Sequence, residues 1–197
     1  MLGPEDARDL SCQSAFALDK LDPELLEQLE QLTRISYSPF LEKMENLKIL
    51  ICANHSALPS GLHDLQFQKL ELDDCHGVET LPAGLCSLTN LQKLSITNCP
   101  DLVELPEVIG GLGRLEVLRL LSCSSLEGLP DSSCELGSLR FLDLSHCSSI
   151  ESLPDNIGQL QHLKRIDMRW CLGLTELPTS VSQLKGFRAV VCDEEAF

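Results

Sequence analysis

Cysteine is the residue whose number and spacing in this chain first raise the question of chemistry. Ten cysteines occur in 197 residues, and one series of them repeats every 24 residues. Metal sites and redox pairs usually bring cysteines together as C-x-x-C, and the sequence contains no such arrangement. Unpaired cysteine otherwise behaves as a small apolar residue that prefers burial. We therefore predict buried, reduced thiols, and neither a metal site nor a cofactor, at the series Cys75, Cys99, Cys123, Cys147 and Cys171.

Two neighbouring pairs, Cys75-His76 and His146-Cys147, have the residue types of a thiolate nucleophile and its base. Adjacent residues on a strand point to opposite faces, so neither pair can easily share a proton. Phosphate-binding G-x-x-x-x-G-K-[ST] and nucleophile-elbow G-x-S-x-G sequences are also absent from the sequence. We predict that the protein is not an enzyme. Cysteine catalysis stays as an alternative that a thiol-reactivity profile of the folded protein tests.

A repeat of 24 residues accounts for the cysteine series. Each unit reads L-x-x-L-x-L-x-x-C-x-x-L-x-x-L-P-x-x-I-x-x-L-x-x. One copy begins at Leu91 and the next at Leu115, where Ser133 stands at the isoleucine position. Units of about 20 to 29 residues with this pattern are the signature of leucine-rich repeats. Residues 37–197 are therefore predicted to form a leucine-rich-repeat domain of about seven coils.

The spacing within a unit predicts the path of one coil. Leu94 and Ile96 alternate with polar residues, which is typical of a short strand with one buried face. Apolar residues then recur about every third position, and Pro106 cannot donate a sheet hydrogen bond, so this part forms the return. Stacking buries leucines that a single coil leaves exposed. The predicted fold class is α/β, a right-handed leucine-rich-repeat solenoid with a curved parallel sheet on the concave face and 3₁₀, short-helix and turn returns on the convex face.

Residues 1–36 do not follow the repeat. Asp22 followed by Pro23 is a typical helix start, and apolar residues then recur at helical spacing. We predict a flexible N-terminal segment followed by a short helix over about residues 23–33 that caps the first coil.

The charge balance bears on the class of partner. Acidic residues outnumber basic ones by 30 to 15, and the formal net charge of −15 disfavours binding to nucleic acid or to an anionic membrane. No apolar run approaches the length of a membrane span, and the N-terminus lacks the basic and apolar regions of a signal peptide. We predict a cytoplasmic protein, in which the glycosylation sequon at Asn54 arises by chance.

The repeat register also predicts which side chains face solvent on the concave face. Most of the protein is acidic, yet arginine and lysine collect on the C-terminal half of this face beside apolar side chains. Arginine together with tryptophan and phenylalanine is the composition of an interface hot spot. The predicted partner is a protein with an acidic surface. The predicted contact residues are Val117, Arg119, Leu121, Arg140, Phe141, Lys164, Arg165, Arg169, Trp170 and Arg188.

The repeat unit in residues 99–112 and 147–160 resembles the repeats of plant intracellular nucleotide-binding leucine-rich-repeat immune receptors. Within that group, the helper class carries an N-terminal coiled coil similar to powdery-mildew-resistance proteins. The resemblance spans about residues 37–195. The segments most similar to the C-terminal region of the helper class are FLEKMENLK at 40–48, DMRWC at 167–171, ELPTSV at 176–181 and VCDEE at 191–195.

The resemblance implies a role in plant innate immune signalling. In such receptors the repeats restrain a nucleotide-binding switch domain at rest and, in helpers, engage lipase-like signalling heterodimers after activation. The 197 residues contain neither the coiled coil nor the switch domain, so nucleotide binding is not carried over. The predicted function is recognition and autoinhibition, with the receptor's own nucleotide-binding domain or a lipase-like heterodimer as partner. The alternative is a free-standing intracellular repeat scaffold that links signalling proteins.

Overall fold

The computed structural model describes residues 10–11, 33–35, 49–53 and 68–193. The predicted capping helix lies outside the described residues except for its last position, Thr33, which begins a strand. Strand β1 (Leu10–Ser11) pairs antiparallel with strand β2 (Thr33–Ile35). The sequence pattern did not predict this pairing, because strands of two or three residues are too short to show an alternation of apolar and polar residues.

The main element is a parallel sheet of seven strands, in which each strand pairs with the next one along the chain. Parallel neighbours need a crossover connection, and the return of each coil provides it. This order confirms the predicted parallel sheet. The strands are β3 (Ile49–Ala53), β4 (Lys69–Asp73), β5 (Lys93–Thr97), β6 (Val117–Leu121), β7 (Phe141–Asp143), β8 (Arg165–Asp167) and β9 (Ala189–Val191).

The register of the sheet keeps equivalent repeat positions side by side. Leu94 lies between Leu70 and Leu118, and all three side chains are buried. The predicted alternation within β5 is confirmed for Leu94 and Ile96, which both point into the core. Ser95 is an exception, because it is buried although it lies on the concave face. The longer side chains of its neighbours in the register shield it from solvent.

Each described return contains a short 3₁₀ helix, as the three-residue spacing predicted. Five-residue helices follow immediately after Pro82, Pro130 and Pro178, whereas three-residue helices begin at Ile109 and Ile157. The two lengths therefore alternate from coil to coil. The helices span Ala83–Ser87, Ile109–Gly111, Asp131–Glu135, Ile157–Gln159 and Thr179–Gln183.

The core is a continuous stack of leucine, isoleucine and cysteine side chains between the sheet and the returns. Cys147 and Cys171 are buried and reduced, which confirms the prediction for these two positions. Their thiols donate hydrogen bonds to the carbonyls of Leu120 and Leu144, at 2.7 and 2.9 Å. Because each acceptor belongs to the preceding coil, the thiols tie neighbouring coils together as well as filling the core.

Candidate functional site

The concave face brings several of the predicted contact residues together in its C-terminal half. The register places Phe141 between Val117 and Arg165, and Arg119 follows on the same strand as Val117. The predicted exposure of the apolar members needs a correction. Val117, Leu121 and Phe141 are half-buried, because long neighbouring side chains cover part of them.

Asp143 lies on this face but is almost completely buried, with 9% of its side chain exposed. Arg119 donates from Nε to its Oδ2 at 3.1 Å. Ser145 donates to its Oδ1 twice, from the backbone N–H at 3.1 Å and from the hydroxyl at 2.5 Å. Both carboxylate oxygens therefore have partners, and the guanidinium of Arg119 is held in one position over the sheet.

Asp167 is the corresponding carboxylate one coil later, and 3% of its side chain is exposed. Arg169 binds it through Nε and Nη2, both at 2.9 Å, and Arg165 donates from Nη2 at 3.0 Å. Burial alone raises the pKa of Asp167, but the hydrogen bonds from Arg169 and Arg165 outweigh burial and hold that pKa below its usual range. The carboxylate is thus ionised, and it orders two arginines at once.

Phe141 lies between two of these ordered arginines. The guanidinium carbon of Arg119 is 5.8 Å from the ring centroid and that of Arg165 is 5.5 Å from it. Both distances are within the range of a cation–π contact. Two cations therefore share one aromatic ring on the concave face, and each is also fixed by a buried aspartate.

The C-terminal ends of the strands carry a row of residues in the left-handed backbone conformation. Trp170 belongs to this row with φ of 61°, and its side chain is 54% exposed. Its ring stacks on that of His146 one coil earlier, with centroids 5.9 Å apart. Leu172, two residues further on, is 75% exposed. The whole row is Asp74, Asn98, Ser122, His146 and Trp170.

His146 and Leu172 were not among the predicted contact residues. The signal for His146 was available, because it lies 24 residues before Trp170 and so occupies the same position of the preceding coil. Leu172 stands where the two preceding coils have serine, and this substitution at a turn was the signal in its case. The exposed aromatic stack and Leu172 extend the predicted surface along one edge of the sheet.

Three cations lie at the opposite edge of the sheet, which the N-terminal ends of the strands form. They are Arg140, Lys164 and Arg188, each immediately before strand β7, β8 or β9. We call these three residues the cationic column. The backbone N–H of Lys164 donates to the carbonyl of Arg140, and that of Arg188 donates to the carbonyl of Lys164, both at 2.9 Å. The ten predicted contact residues thus form a central group on the concave face, a tryptophan at one edge and three cations at the other.

The N-terminal half of the same face has a mixed charge character. Lys93 forms an ion pair with Glu71, and Asp73 accepts hydrogen bonds from Thr97 at 2.5 Å and from Asn98 at 3.2 Å. No arginine of the described residues lies on this half of the face. The arginines of this face are therefore confined to the C-terminal coils, whereas lysine also occurs on the N-terminal half, at Lys69 and Lys93.

The thiols of the core are poor nucleophiles. Burial raises the pKa of Cys171 to about 12 and that of Cys86 to about 11. A hydrogen bond with Cys123, together with burial, raises the pKa of Cys147. Because the thiolate is the reactive form, a raised pKa opposes the alternative of cysteine catalysis at these positions.

Two further findings concern metals and membranes. Among the described residues, no group of three or more histidine, cysteine, aspartate or glutamate side chains is placed to hold a metal ion. None of the helices in this part of the chain is long and apolar enough to cross a membrane.

Comparison with known proteins agrees with the geometry. A sequence-family model for the leucine-rich repeat matches residues 138–160. A leucine-rich-repeat protein of Leptospira interrogans is similar in structure, with a TM-score of 0.60 and 28% identity, covering 95% of this chain and 55% of that one. The chain therefore spans about half the length of that protein. The fold is an α/β leucine-rich-repeat solenoid, as predicted, and solenoids of this kind generally serve as protein-interaction scaffolds.

More distant similarities were also found. The leucine-rich repeat domain of the type III effector XopL is similar with a TM-score of 0.43 and 22% identity, covering 79% of this chain and 72% of that one. A plant peptide hormone receptor solved in complex with RGF2 has a TM-score of 0.28 and 19% identity, covering 74% of this chain and 34% of that one. A search of curated proteins finds no significant match.

Proposed function

We propose that this leucine-rich-repeat chain is a protein-recognition module whose concave C-terminal half binds an acidic surface of a partner protein. The observation that carries the proposal is Phe141 between Arg119 and Arg165, both anchored by buried aspartates. Aromatic residues and arginines dominate the binding energy of protein interfaces.

The anchoring also favours binding energetically. A flexible arginine loses conformational entropy when a partner immobilises it, by about 0.5–1.5 kcal/mol. Arg119, Arg165 and Arg169 are already held by Asp143 and Asp167 in the unbound structure. Part of that ordering therefore precedes binding, while the guanidinium groups keep unused N–H donors for the carboxylates of a partner.

Trp170 supplies the apolar part of the same surface. Its ring is stacked on His146 and more than half of its side chain is exposed, so a partner can bury it without rearranging the fold. An exposed tryptophan in a left-handed backbone conformation is energetically unfavourable for stability alone. This feature supports a role in recognition.

The biological setting that we propose is a cytoplasmic plant immune receptor of the helper class. There the module would restrain the receptor's own nucleotide-binding domain and engage a lipase-like heterodimer after activation, and it would not itself be an enzyme. The support is the similarity of residues 167–171, 176–181 and 191–195 to that class, since leucine-rich repeats as such also occur in the Leptospira protein. A free-standing signalling scaffold is the second candidate, supported by the same surface.

Affinity capture from immune-activated leaf extract tests the proposal. The bait is the full chain, compared with Trp170→Asn combined with Arg169→Gln. Asparagine suits the left-handed conformation, as Asn98 shows at the equivalent position, so the variant is expected to remain folded. The matched control is Lys69→Gln combined with Ser122→Asn, which makes similar changes in the preceding coils. Recovery of a defined partner by the parent and the control, but not by the Trp170 variant, supports the proposal; equal recovery by all three contradicts it.

A further inference from the structure

The cationic column has a feature that no other part of the described residues shares. Its three positive charges occupy equivalent positions of three successive coils, joined by backbone hydrogen bonds of 2.9 Å. Neighbouring strands lie about 4.8 Å apart, so the charges are stacked at that interval along the solenoid axis. Like charges directly opposite each other on adjacent strands destabilise a sheet.

These charges are poorly compensated. Arg140 is 3.5 Å from Glu116, but both side chains are about half exposed, so the pair is weak. No described residue forms an ion pair with Lys164 or Arg188. Arg165 follows Lys164 directly and is a fourth cation beside the column, although it pairs with the buried Asp167. In a chain of net charge −15, this concentration of positive charge favours an acidic partner.

We propose that the cationic column binds an acidic α-helix of the partner protein, lying along the edge of the sheet parallel to the solenoid axis. This proposal rests on the proposed function and specifies the secondary structure and orientation of the partner at that surface. The positive charge of the column indicates acidic side chains on the partner. The spacing of the column indicates that those side chains lie on a helix.

The spacing of the cationic column favours a helical partner over an extended one. On one face of a helix, residues at i, i+3 and i+7 rise over about 10.5 Å, which is close to the roughly 9.6 Å covered by three stacked strands. On one face of an extended strand, residues at i, i+2 and i+4 cover about 13 Å, which matches the spacing of the column less closely. A helix therefore places three glutamates opposite Arg140, Lys164 and Arg188.

The neighbouring column of the concave face fits such a helix as well. Val117, Phe141 and Ala189 are half-buried and lie one residue inside the positions of the edge, and the exposed Arg165 stands between Phe141 and Ala189 in the same column. A helix with small apolar residues beside its acidic stripe would contact these side chains while its carboxylates reach the cations. The occupant is thus an amphipathic acidic helix and not a uniformly charged one.

Fluorescence anisotropy with synthetic peptides tests this inference on the full chain. The first probe is an alanine-rich helical peptide of about five turns with glutamates at i, i+3 and i+7. The second has the same composition with the glutamates spread around the helix, and the third is a threonine- and valine-rich peptide with glutamate at alternate positions. We expect the striped helix to bind at least about tenfold more tightly than the other two, and its affinity to fall as salt is raised.

Charge reversal locates the site. Lys164→Glu combined with Arg188→Glu is expected to weaken binding of the striped helix at least about tenfold. The matched control is Lys69→Glu combined with Arg114→Glu, an equal change of charge at exposed positions of earlier coils, and it is expected to weaken binding less than about threefold. Equal effects of the two double variants would overturn the inference.

Two other outcomes separate this inference from the proposed function. Tight binding of all three peptides, or tighter binding of a single-stranded DNA oligonucleotide, would show a general polyanion site. Either result would contradict the proposal that the column binds an acidic helix. The striped helix could fail to bind while capture of a partner still depends on Trp170. In that case the proposal of an acidic helix is wrong and the proposed recognition surface is retained.

Discussion

The carboxylate of Asp193 accepts a hydrogen bond of 2.6 Å from the backbone N–H of Trp170. In earlier coils the equivalent N–H donates to a backbone carbonyl of the next coil, as His146 does to Arg169 at 2.7 Å. At the last described coil, a side chain thus takes the place of a backbone acceptor. This substitution supports the strained backbone at Trp170 and with it the exposed aromatic stack.

Replacing Asp193 tests that support. We expect Asp193→Ala to lower the free energy of unfolding by about 1 kcal/mol, because it removes the acceptor of a charge-assisted hydrogen bond. Asp193→Asn keeps an acceptor oxygen and is expected to lose about half as much. Urea denaturation of the three proteins measures the difference. Equal stability of Asp193→Ala and the parent would show that the bond adds nothing to the fold.

Glycine at Gly158 allows the returns of two neighbouring coils to approach each other closely. A Cβ added at Gly158 would collide with the backbone carbonyl of Ser180 in the next coil, whereas one added at Gly113 would meet nothing within 4 Å. We expect Gly158→Ala to destabilise the protein by about 1–3 kcal/mol through overpacking against backbone that cannot move aside. Gly113→Ala is the matched control and is expected to be neutral or slightly stabilising. Thermal unfolding of both variants compares them, and similar losses would contradict the close approach at Gly158.

Ser133 has the one buried side-chain oxygen or nitrogen in the described part of the chain that lacks a hydrogen-bond partner. The same repeat position holds isoleucine at Ile109 and Ile157, both fully buried. Ser133→Val removes the unsatisfied hydroxyl and adds an apolar methyl group, so we expect the free energy of unfolding to rise by about 1 kcal/mol. Ser133→Ala, which removes the hydroxyl without filling the site, is expected to raise it less. Chemical denaturation provides the ranking, and a destabilised Ser133→Val would mean that the site is too small or that the hydroxyl is satisfied.

These cases show what the repeat pattern could and could not predict. The pattern specified the sheet and the buried leucines, because a fixed 24-residue step must stack equivalent positions such as Leu94 and Leu118. It did not predict the alternating lengths of the 3₁₀ helices. The shorter helices have Gly110 and Gly158 where the longer ones have cysteine or serine.

The candidate site was predicted less completely than the fold. Register alone assigned Asp143 and Asp167 to the concave face, but it could not show that arginines would cover them. Burial on an open face depends on the rotamers of long side chains, which a sequence pattern does not specify. As a result, four of the six predicted cations are at least partly compensated, and the uncompensated charge lies on Lys164 and Arg188.

The chemical inertness of the cysteine column is open to a direct test. With a pKa of about 12, only about one Cys171 thiol in ten thousand is ionised at pH 8. We expect Cys147 and Cys171 to resist iodoacetamide in the folded protein and to react when urea unfolds it, whereas the half-buried Cys192 reacts in both states. Mass spectrometry of the alkylated peptides reports each site. Rapid labelling of Cys147 or Cys171 without urea would support the alternative of a catalytic cysteine.

Asp167 gives the concave face a predictable dependence on pH. Its pKa is lower in the folded protein than in the unfolded chain, where it is about 3.9, so its ionised form stabilises the fold above that value. This contribution is lost as the pH falls through the lower folded pKa. Asp167→Asn removes the charge, and we expect it to cost about 1–3 kcal/mol near neutral pH, where Arg165 and Arg169 lose their shared anion.

The measurement is urea denaturation of the parent and Asp167→Asn at a series of pH values. The difference in stability should be largest near neutral pH and should shrink below about pH 4, because Asp167 is then protonated in the unfolded parent, and at still lower pH in the folded one. Asp155→Asn, at an exposed position of the return, is the matched control and is expected to have little effect at any pH. A difference for Asp167→Asn that stays constant from neutral to acidic pH would mean that packing, and not the ion pairs with Arg165 and Arg169, is what the aspartate contributes.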